Sequence, residues 1–475
     1  MAPVMGRSSS GRYLGSPHVT RARASAGVAA GSLRSPSCGR FAPAAGKEKA
    51  GARDAATRVA VPTAAEGFVA DDAWAGKLAD ERIMLGGLKG KALQIKEEDW
   101  PTMKEVYANI PKECWEKDDV KSMAYAVIST ALTVGTGLLA YLYIPLQLAY
   151  LPAWIAYAVV NGTFATGCWV IAHECGHNAF SNNKTLQDTV GYVLHSALLV
   201  PYFSWQRSHA VHHARTNHLS LGETHVPYCV GEDPDHCNKG ESKLKVRDFM
   251  FSLGPIGTAI YGLTRMFTHL VFGWPAYLLW GATGGPVRGK TNHFLPWMGE
   301  QDQNSLFPGK WKKFVLFSDV GCVAVFAALV AWGLSAGSVW PPLALYAGPL
   351  VFTNCWLVLY TWLQHTDVDI PHYAKDTWVW AKGAFSTVDR PYGRILDFLH
   401  HRIGSTHVAH HVSHEIPHYN AVKATEALKE AYPKLYLYDP TNIWVALWRI
   451  CTKCTAVERR TDSKLVEKDM WVFVN

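Results

Sequence analysis

Residues 122–177 read SMAYAVISTALTVGTGLLAYLYIPLQLAYLPAWIAYAVVNGTFATGCWVIAHECGH, and from Ser122 to Ala172 there is no Asp, Glu, Lys, Arg or His. A membrane-spanning helix takes about 20 apolar residues, so this run holds two, with the break near Pro145 and Pro152. It ends at His173, where the second span leaves the bilayer. A second uncharged run, Val320–Gln364, has the same length class, breaks near Ser338 to Pro342 and ends at His365. Two crossings return the chain to the side it left. That side carries Lys112, Lys117 and Lys121, while the first inter-span loop has no charge, so the positive-inside rule puts it on the cytosol or stroma. The predicted class is an all-α integral membrane protein. It has four transmembrane helices in two hairpins plus interfacial helices, capped by a cytosolic or stromal helical His-rich domain. Residues 185–205 and 249–284 are the interfacial candidates, the latter interfacial or re-entrant because Arg265, His269 and several Gly interrupt it.

Three histidine clusters follow this frame: His173 with His177, His209 with His212 and His213, and His407 with His410 and His411. Positions i, i+3 and i+4 share a helix face, so each cluster presents its imidazoles together. A single HxxxH is commonly surface or core histidine. Two HxxHH clusters and one HxxxH in one chain form a metal-binding arrangement. His365, at the end of a span, is either a ninth ligand or an interfacial hydrogen-bonding residue. Nine ligands are too many for one ion with a shell of about four to six, and suit two ions. A two-metal site at a membrane face is placed to attack a lipid chain between helices. Such a chain offers only unactivated C–H bonds, which calls for oxygen and a redox metal, iron before zinc. Glu174 faces away from the His173/His177 stripe and is read as orienting a ligand from behind. His195, His218, His225, His236, His372, His414 and His418 lack the spacing and read as surface residues or supports of the ligands.

The rest of the composition narrows the class. Net charge is +7, but no basic helix or RNA-binding signature accompanies it, so a nucleic-acid partner is not expected. The ten Cys are scattered, and Cys451-x-x-Cys454 has no second CxxC, which disfavours a zinc ribbon or a disulfide framework. Residues 1 to 47 contain no Asp or Glu but carry Arg7, Arg12, Arg21, Arg23, Arg34, Arg40 and Lys47 among Ser, Ala and Gly. That is the composition of an organelle transit peptide, with a disordered basic tail as the alternative. The expected division is a leader over 1–60, a polar N-terminal region over 61–120, a membrane domain over 121–455 and a C-terminal tail over 456–475. Lys243, Lys245 and Arg247 are either a solvated face or a site for lipid headgroups.

The clusters and their flanks resemble the membrane-bound acyl-lipid fatty acid desaturases. His173-Glu174-Cys175-Gly176-His177 with Ala179-Phe180-Ser181 is similar to that family's first box. Pro201-Tyr202-Phe203-Ser204-Trp205 leading into His209 and His212-His213 is similar to its second. Thr406-His407-Val408-Ala409-His410-His411 with Ile416-Pro417-His418-Tyr419 is similar to its third. Leu363-Gln364-His365-Thr366 and Ser386-Thr387-Val388-Asp389-Arg390 extend the match, which covers about Ile110 to Cys454. The resemblance implies a diiron centre held by the box histidines and one further histidine, matched here by His365. It also implies O2 as co-substrate and a cis double bond formed in the acyl chain of a membrane glycerolipid. Electrons would come from a partner, ferredoxin in a plastid, the favoured location, or cytochrome b5 in the endoplasmic reticulum.

Phe203-Ser204-Trp205 and Glu223-Thr224-His225-Val226-Pro227 resemble delta-12 (omega-6) oleate desaturases, whereas Pro111-Lys112-Glu113-Cys114-Trp115 resembles plastid omega-3 (delta-15) enzymes. Delta-12 is therefore the expected position and omega-3 the alternative. An acyl hydroxylase would use the same histidines. A metal transporter would need ionisable groups inside the bilayer, and the two uncharged runs offer none.

Overall fold

The computed structural model describes residues 86–231, 237–298, 305–460 and 470–474. The transit-peptide reading of 1–60 and the reading of His236 fall outside the described residues.

The described chain opens with an arm that is less polar in its packing than in its composition. Thr102 and Glu105 cap each other reciprocally, which starts α1 (Met103–Asn109). Val106 within it and Ile110 and Cys114 beyond it are buried in one cluster with Val408, Ala409 and Val412. This part of the expected polar region therefore belongs to the core around the third histidine cluster.

The first uncharged run folds into two long helices. α2 (Asp119–Tyr143) starts where the Asp118 carboxylate accepts the Lys121 N–H. It stops before Pro145, which has no N–H to give. α3 (Leu151–Gly176) carries Pro152 in its first turn, where the missing N–H costs nothing. α4 (Lys184–Ala197), capped by Asn183, and α5 (Tyr202–Ala214) follow. After the short strands β1 (Tyr228–Cys229) and β2 (Asn238–Lys239) come α6 (Glu241–Ser252) and α7 (Gly254–Trp280). α7 is one continuous helix, without the reversal a re-entrant segment needs. It exposes a stripe of Ile256, Ile260, Leu263 and Phe267 at helical spacing.

The second run starts at Trp311 rather than Val320 and so takes in Lys312, Lys313 and Asp319. It forms α8 (Trp311–Ser335), a short turn at Trp340–Pro342, a wider one at Leu343–Ala347, and α9 (Gly348–His365). Among the described residues, four stretches are long and apolar enough to cross a membrane: Asp119–Tyr143, Leu148–Gly176, Trp311–Ser335 and Trp340–His365. In such a segment every backbone N–H must be satisfied within the helix. α3 and α9 pack directly on each other. Gly162 permits the approach, since a Cβ there would lie 2.6 Å from the Pro349 carbonyl oxygen. The Thr353 hydroxyl crosses the same contact and donates to Gly162 O at 3.2 Å.

The chain beyond α9 contains β3 (His372–Tyr373), α10 (Trp380–Phe385), α11 (Arg394–Leu399), α12 (His407–Val412), α13 (His418–Ala431), α14 (Ile443–Lys453), β4 (Ala456–Arg460) and β5 (Met470–Phe473). The fold is mostly helical, but the all-α expectation needs a correction. The strands form one small mixed sheet in the order β2-β1-β4-β5-β3, with β4 antiparallel to β5 from Val457↔Phe473 to Arg460↔Met470. Strands of two to five residues leave almost no period-two signal, so composition reads them as loop. Within the stretch expected as a C-terminal tail, Met470, Trp471, Val472 and Phe473 are all buried. Arg247, expected at a solvated or headgroup-binding face, is buried and donates to Val474 O at 2.7 Å. Cys229 and Cys237 form the disulfide found among the described residues; Cys451 and Cys454 are free and buried.

Candidate metal centre

Four elements bring the nine histidines together. α3 delivers His173 on its last turn and His177 just past its end. Gly176 between them lies against the Trp205 ring, which a Cβ would meet at 2.5 Å. α5 presents His209, His212 and His213, α9 ends on His365, and α12 carries His407, His410 and His411.

The imidazoles sort into two groups. One nitrogen each from His173, His177, His209, His213 and His410 lie within 4.8 Å of one another. His212, His365 and His411 form a second such set, and His407 joins it with its Nε2 3.0 Å from that of His365. Within the first group, His209 Nε2 lies 3.1 Å from His173 Nε2 and 3.2 Å from His213 Nε2. The groups touch where the His213 and His411 rings stack at 4.1 Å. Among the described residues both sets are all histidine. Glu174 points elsewhere, accepting the His418 backbone N–H at 2.8 Å.

These nitrogens fit a metal better than they fit one another. Nε2 of His177, His410 and His411 is buried with no hydrogen-bond partner among the described residues. Burying a polar atom unpaired is costly; a cation in the first group would satisfy His177 and His410, and one in the second would satisfy His411. Burial, with neighbouring imidazoles adding to it, holds His177, His209, His213, His410 and His411 well below the usual histidine range. Burial likewise brings His212 and His407 down to about 3. The rings are therefore neutral at physiological pH, the form that binds transition metals. His365, ambiguous from spacing alone, is drawn into the second group.

Three of the rings, those of His212, His411 and His407, are held from behind through Nδ1. Thr224 Oγ1 lies 2.7 Å from His212 Nδ1, Thr216 Oγ1 3.2 Å from His411 Nδ1, and His407 Nδ1 3.1 Å from Ile403 O. Such contacts fix ring orientation and tautomer. Neither threonine carries a sequence signal beyond its distance from a cluster. Asp389 accepts the Val408 N–H at 2.9 Å and the Tyr436 hydroxyl at 2.6 Å, which anchors the start of α12. Arg390 donates to Leu363 O and to Asp367, and Gln364 bonds Gly404 O, so the end of α9 is tied to the segment before α12.

Of the remaining histidines, read as surface residues or supports of the ligands, those described lie buried or half-buried rather than at the surface. His195 is fully buried, with its ring 4.9 Å from that of Trp205 and 5.3 Å from that of Trp169. His218, His372 and His418 are buried as well. His225 is half-buried and stacks parallel to His365 at 5.8 Å. His414 packs 4.8 Å from His177, at the border of the five-histidine group.

Beside the histidines lies a cavity of about 220 Å³ between α7 and α9. Its walls include Trp169, Trp205, Trp274, Gly273, Leu357 and Val358, together with His209 and His212. Thr268 and Phe272, which also line it, are exposed on α7. A smaller chamber of about 30 Å³ shares Trp169, His209, His212, Leu357 and Thr361 with it and reaches His365 and His407. An apolar passage thus runs from the outside of the helices to the two histidine groups.

Residues 150–441 match the fatty acid desaturase family. The chain belongs to that family. It is 37% identical over 377 residues to the delta(12) fatty acid desaturase of Mortierella alpina, covering 77% of this chain and 90% of that enzyme. It is 36% identical over 379 residues to an omega-6 fatty acid desaturase, endoplasmic reticulum isozyme 1, of Glycine max, covering 79% and 90%. It is also 35% identical over 363 residues to the oleoyl-12-hydroxylase of Ricinus communis, covering 75% and 87%. This desaturase is therefore an oxidoreductase of membrane lipids, and its buried histidine clusters suit a metal centre.

Proposed function

We propose that the enzyme inserts a cis double bond into oleoyl chains of membrane glycerolipids, giving linoleoyl. The carrying observation is the passage from the exposed edge of α7 to two all-histidine groups. The similarity to delta-12 enzymes supports the position. On this reading His173, His177, His209, His213 and His410 hold one iron, and His212, His365, His407 and His411 hold the other. The diiron centre supplies the activation of O2 needed to break unactivated C–H bonds. The protein does the rest. The tryptophans and aliphatic side chains of the passage hold the acyl chain extended and exclude water from it. His209 and His212, in its walls, set which methylene pair lies nearest the metal site. Thr216 and Thr224 keep the His411 and His212 rings aimed inward.

The four candidate spans, taken as two hairpins, put all three clusters on one side of the membrane, and the lysines near α2 make that side cytosolic. The basic leader pointed to a plastid, but the relatives lend that reading no support. The endoplasmic reticulum, with cytochrome b5 as electron donor, fits the soybean relative better.

Expression in a yeast that makes no polyunsaturated lipids, fed oleate or linoleate separately, tests the position. Linoleate from oleate is the expected product. Alpha-linolenate from supplied linoleate, with oleate untouched, would assign omega-3 desaturation instead. A 12-hydroxy product would move the enzyme to the side of its Ricinus relative.

A further inference from the structure

Removing two hydrogen atoms from adjacent methylenes while one O2 becomes two waters takes up two further electrons and two protons. Those electrons come from a donor, one at a time, and must reach a buried site. One face of the molecule connects surface charge to that site by a short bonded route. The Arg215 guanidinium, just past α5, lies 5.1 Å over the Trp378 ring. The half-buried Trp378 donates its indole N–H to Thr216 O at 2.8 Å. The hydroxyl of the same Thr216 lies 3.2 Å from His411 Nδ1.

The surroundings of this route are cationic. Arg215, Arg288 and Lys375 all act on His218, whose ring sits 5.7 Å from Trp378. Lys290 and Lys375 are exposed. Of the nearby acids, Glu223 is buried against Arg288, Asp376 is exposed beside Lys375, and Glu97 is engaged by Lys382 at 2.9 Å.

We infer that this face, over Arg215 and Lys375, docks a small acidic one-electron carrier protein, with Trp378 and Thr216 linking it to His411. The inference rests on the diiron reading above. Opposite charge steers association and sets its salt dependence. An anionic lipid headgroup would also satisfy the charge, but would have no use for a bonded route to the metal site.

The test uses the full-length enzyme in vesicles of zwitterionic lipid. The soluble haem domain of cytochrome b5 is one reductant, and dithionite with a small mediator is the other. In the double variant Arg215→Glu/Lys375→Glu, the KM for the haem domain is expected to rise about tenfold at low salt. Its kcat at saturating carrier and its mediator-driven turnover are expected to stay unchanged. The difference from wild type should shrink as salt is raised. Should the double variant fold poorly, Lys375→Glu alone alters an exposed side chain and is expected to raise KM about threefold. An unchanged KM in a folded variant overturns the proposal, as does an effect that appears only when anionic lipid is added. A wild type that forms no double bond with either reductant would instead sink the functional reading, and the docking proposal with it.

Discussion

The Thr224 hydroxyl lies 2.7 Å from Nδ1 of His212, on the side of the ring away from the four-histidine group. The loop that carries it is fixed from behind by Arg288, which donates to Leu221 O at 2.7 Å. Thr224→Val keeps the shape and removes the bond. Iron affinity is expected to fall about tenfold or more, as read by metal content after dialysis against a graded chelator. Thr224→Ser should restore it. Equal iron retention in the valine variant would show that the hydroxyl does not position His212.

His195 separates structural from metal-binding histidine. Enclosed by Trp169, Tyr202 and Trp205, it is expected to cost about 2–4 kcal/mol when replaced by Ala, as a large-to-small core change does. The purified His195→Ala protein should still bind its full metal. His410→Ala should instead lose metal and activity together. Thermal denaturation and metal analysis on both variants decide.

Gly273 faces Val358 across the passage, and a Cβ there would meet Val358 at 3.4 Å, an ordinary contact. Gly273→Ala is therefore expected to be nearly neutral, whereas Gly273→Phe fills the passage. The phenylalanine variant should lose at least about 90% of turnover on oleoyl lipid with its metal content unchanged. Normal turnover would mean that the acyl chain takes another path.

His218, His293 and His372 are buried away from the metal groups, and burial brings each down to about 3. Their folded values lie below the unfolded one, so the unfolded chain binds more protons in acid. Their contribution is fully present above about pH 6.5 and is lost as pH falls toward 3, by up to about 1.4 kcal/mol per histidine per pH unit. The midpoint of thermal unfolding in detergent should drop steadily between pH 6.5 and 4. His372→Phe should flatten that slope; an unaltered slope would remove His372 from the account.

The membrane part was legible in the sequence because its signals are long. Fifty-one uncharged residues and three clusters on a 3.6-residue period state spans and ligand faces directly. The break at Pro145 follows from proline's missing N–H. His365 was less legible, since its neighbours in the site come from α5 and α12, and only tertiary packing shows that. The small sheet was not legible, because its strands are too short to alternate. Trp471 and Arg247 looked like tail and surface for a related reason: their partners are distant in sequence, His372 lying 99 residues before Trp471 and Val474 lying 227 residues after Arg247.

On the proposed assignment, the first ion gathers ligands from α3, α5 and α12, and the second from α5, α9 and α12. Neither ion belongs to one element. Each would be a cross-link between helices far apart in sequence, and its binding free energy would add to the stability of their assembly. Iron supply would then govern how long the protein lasts as well as how fast it works. Chains made during scarcity would have loosened helix ends and exposed histidine clusters, and proteolysis would clear them sooner than the loaded enzyme.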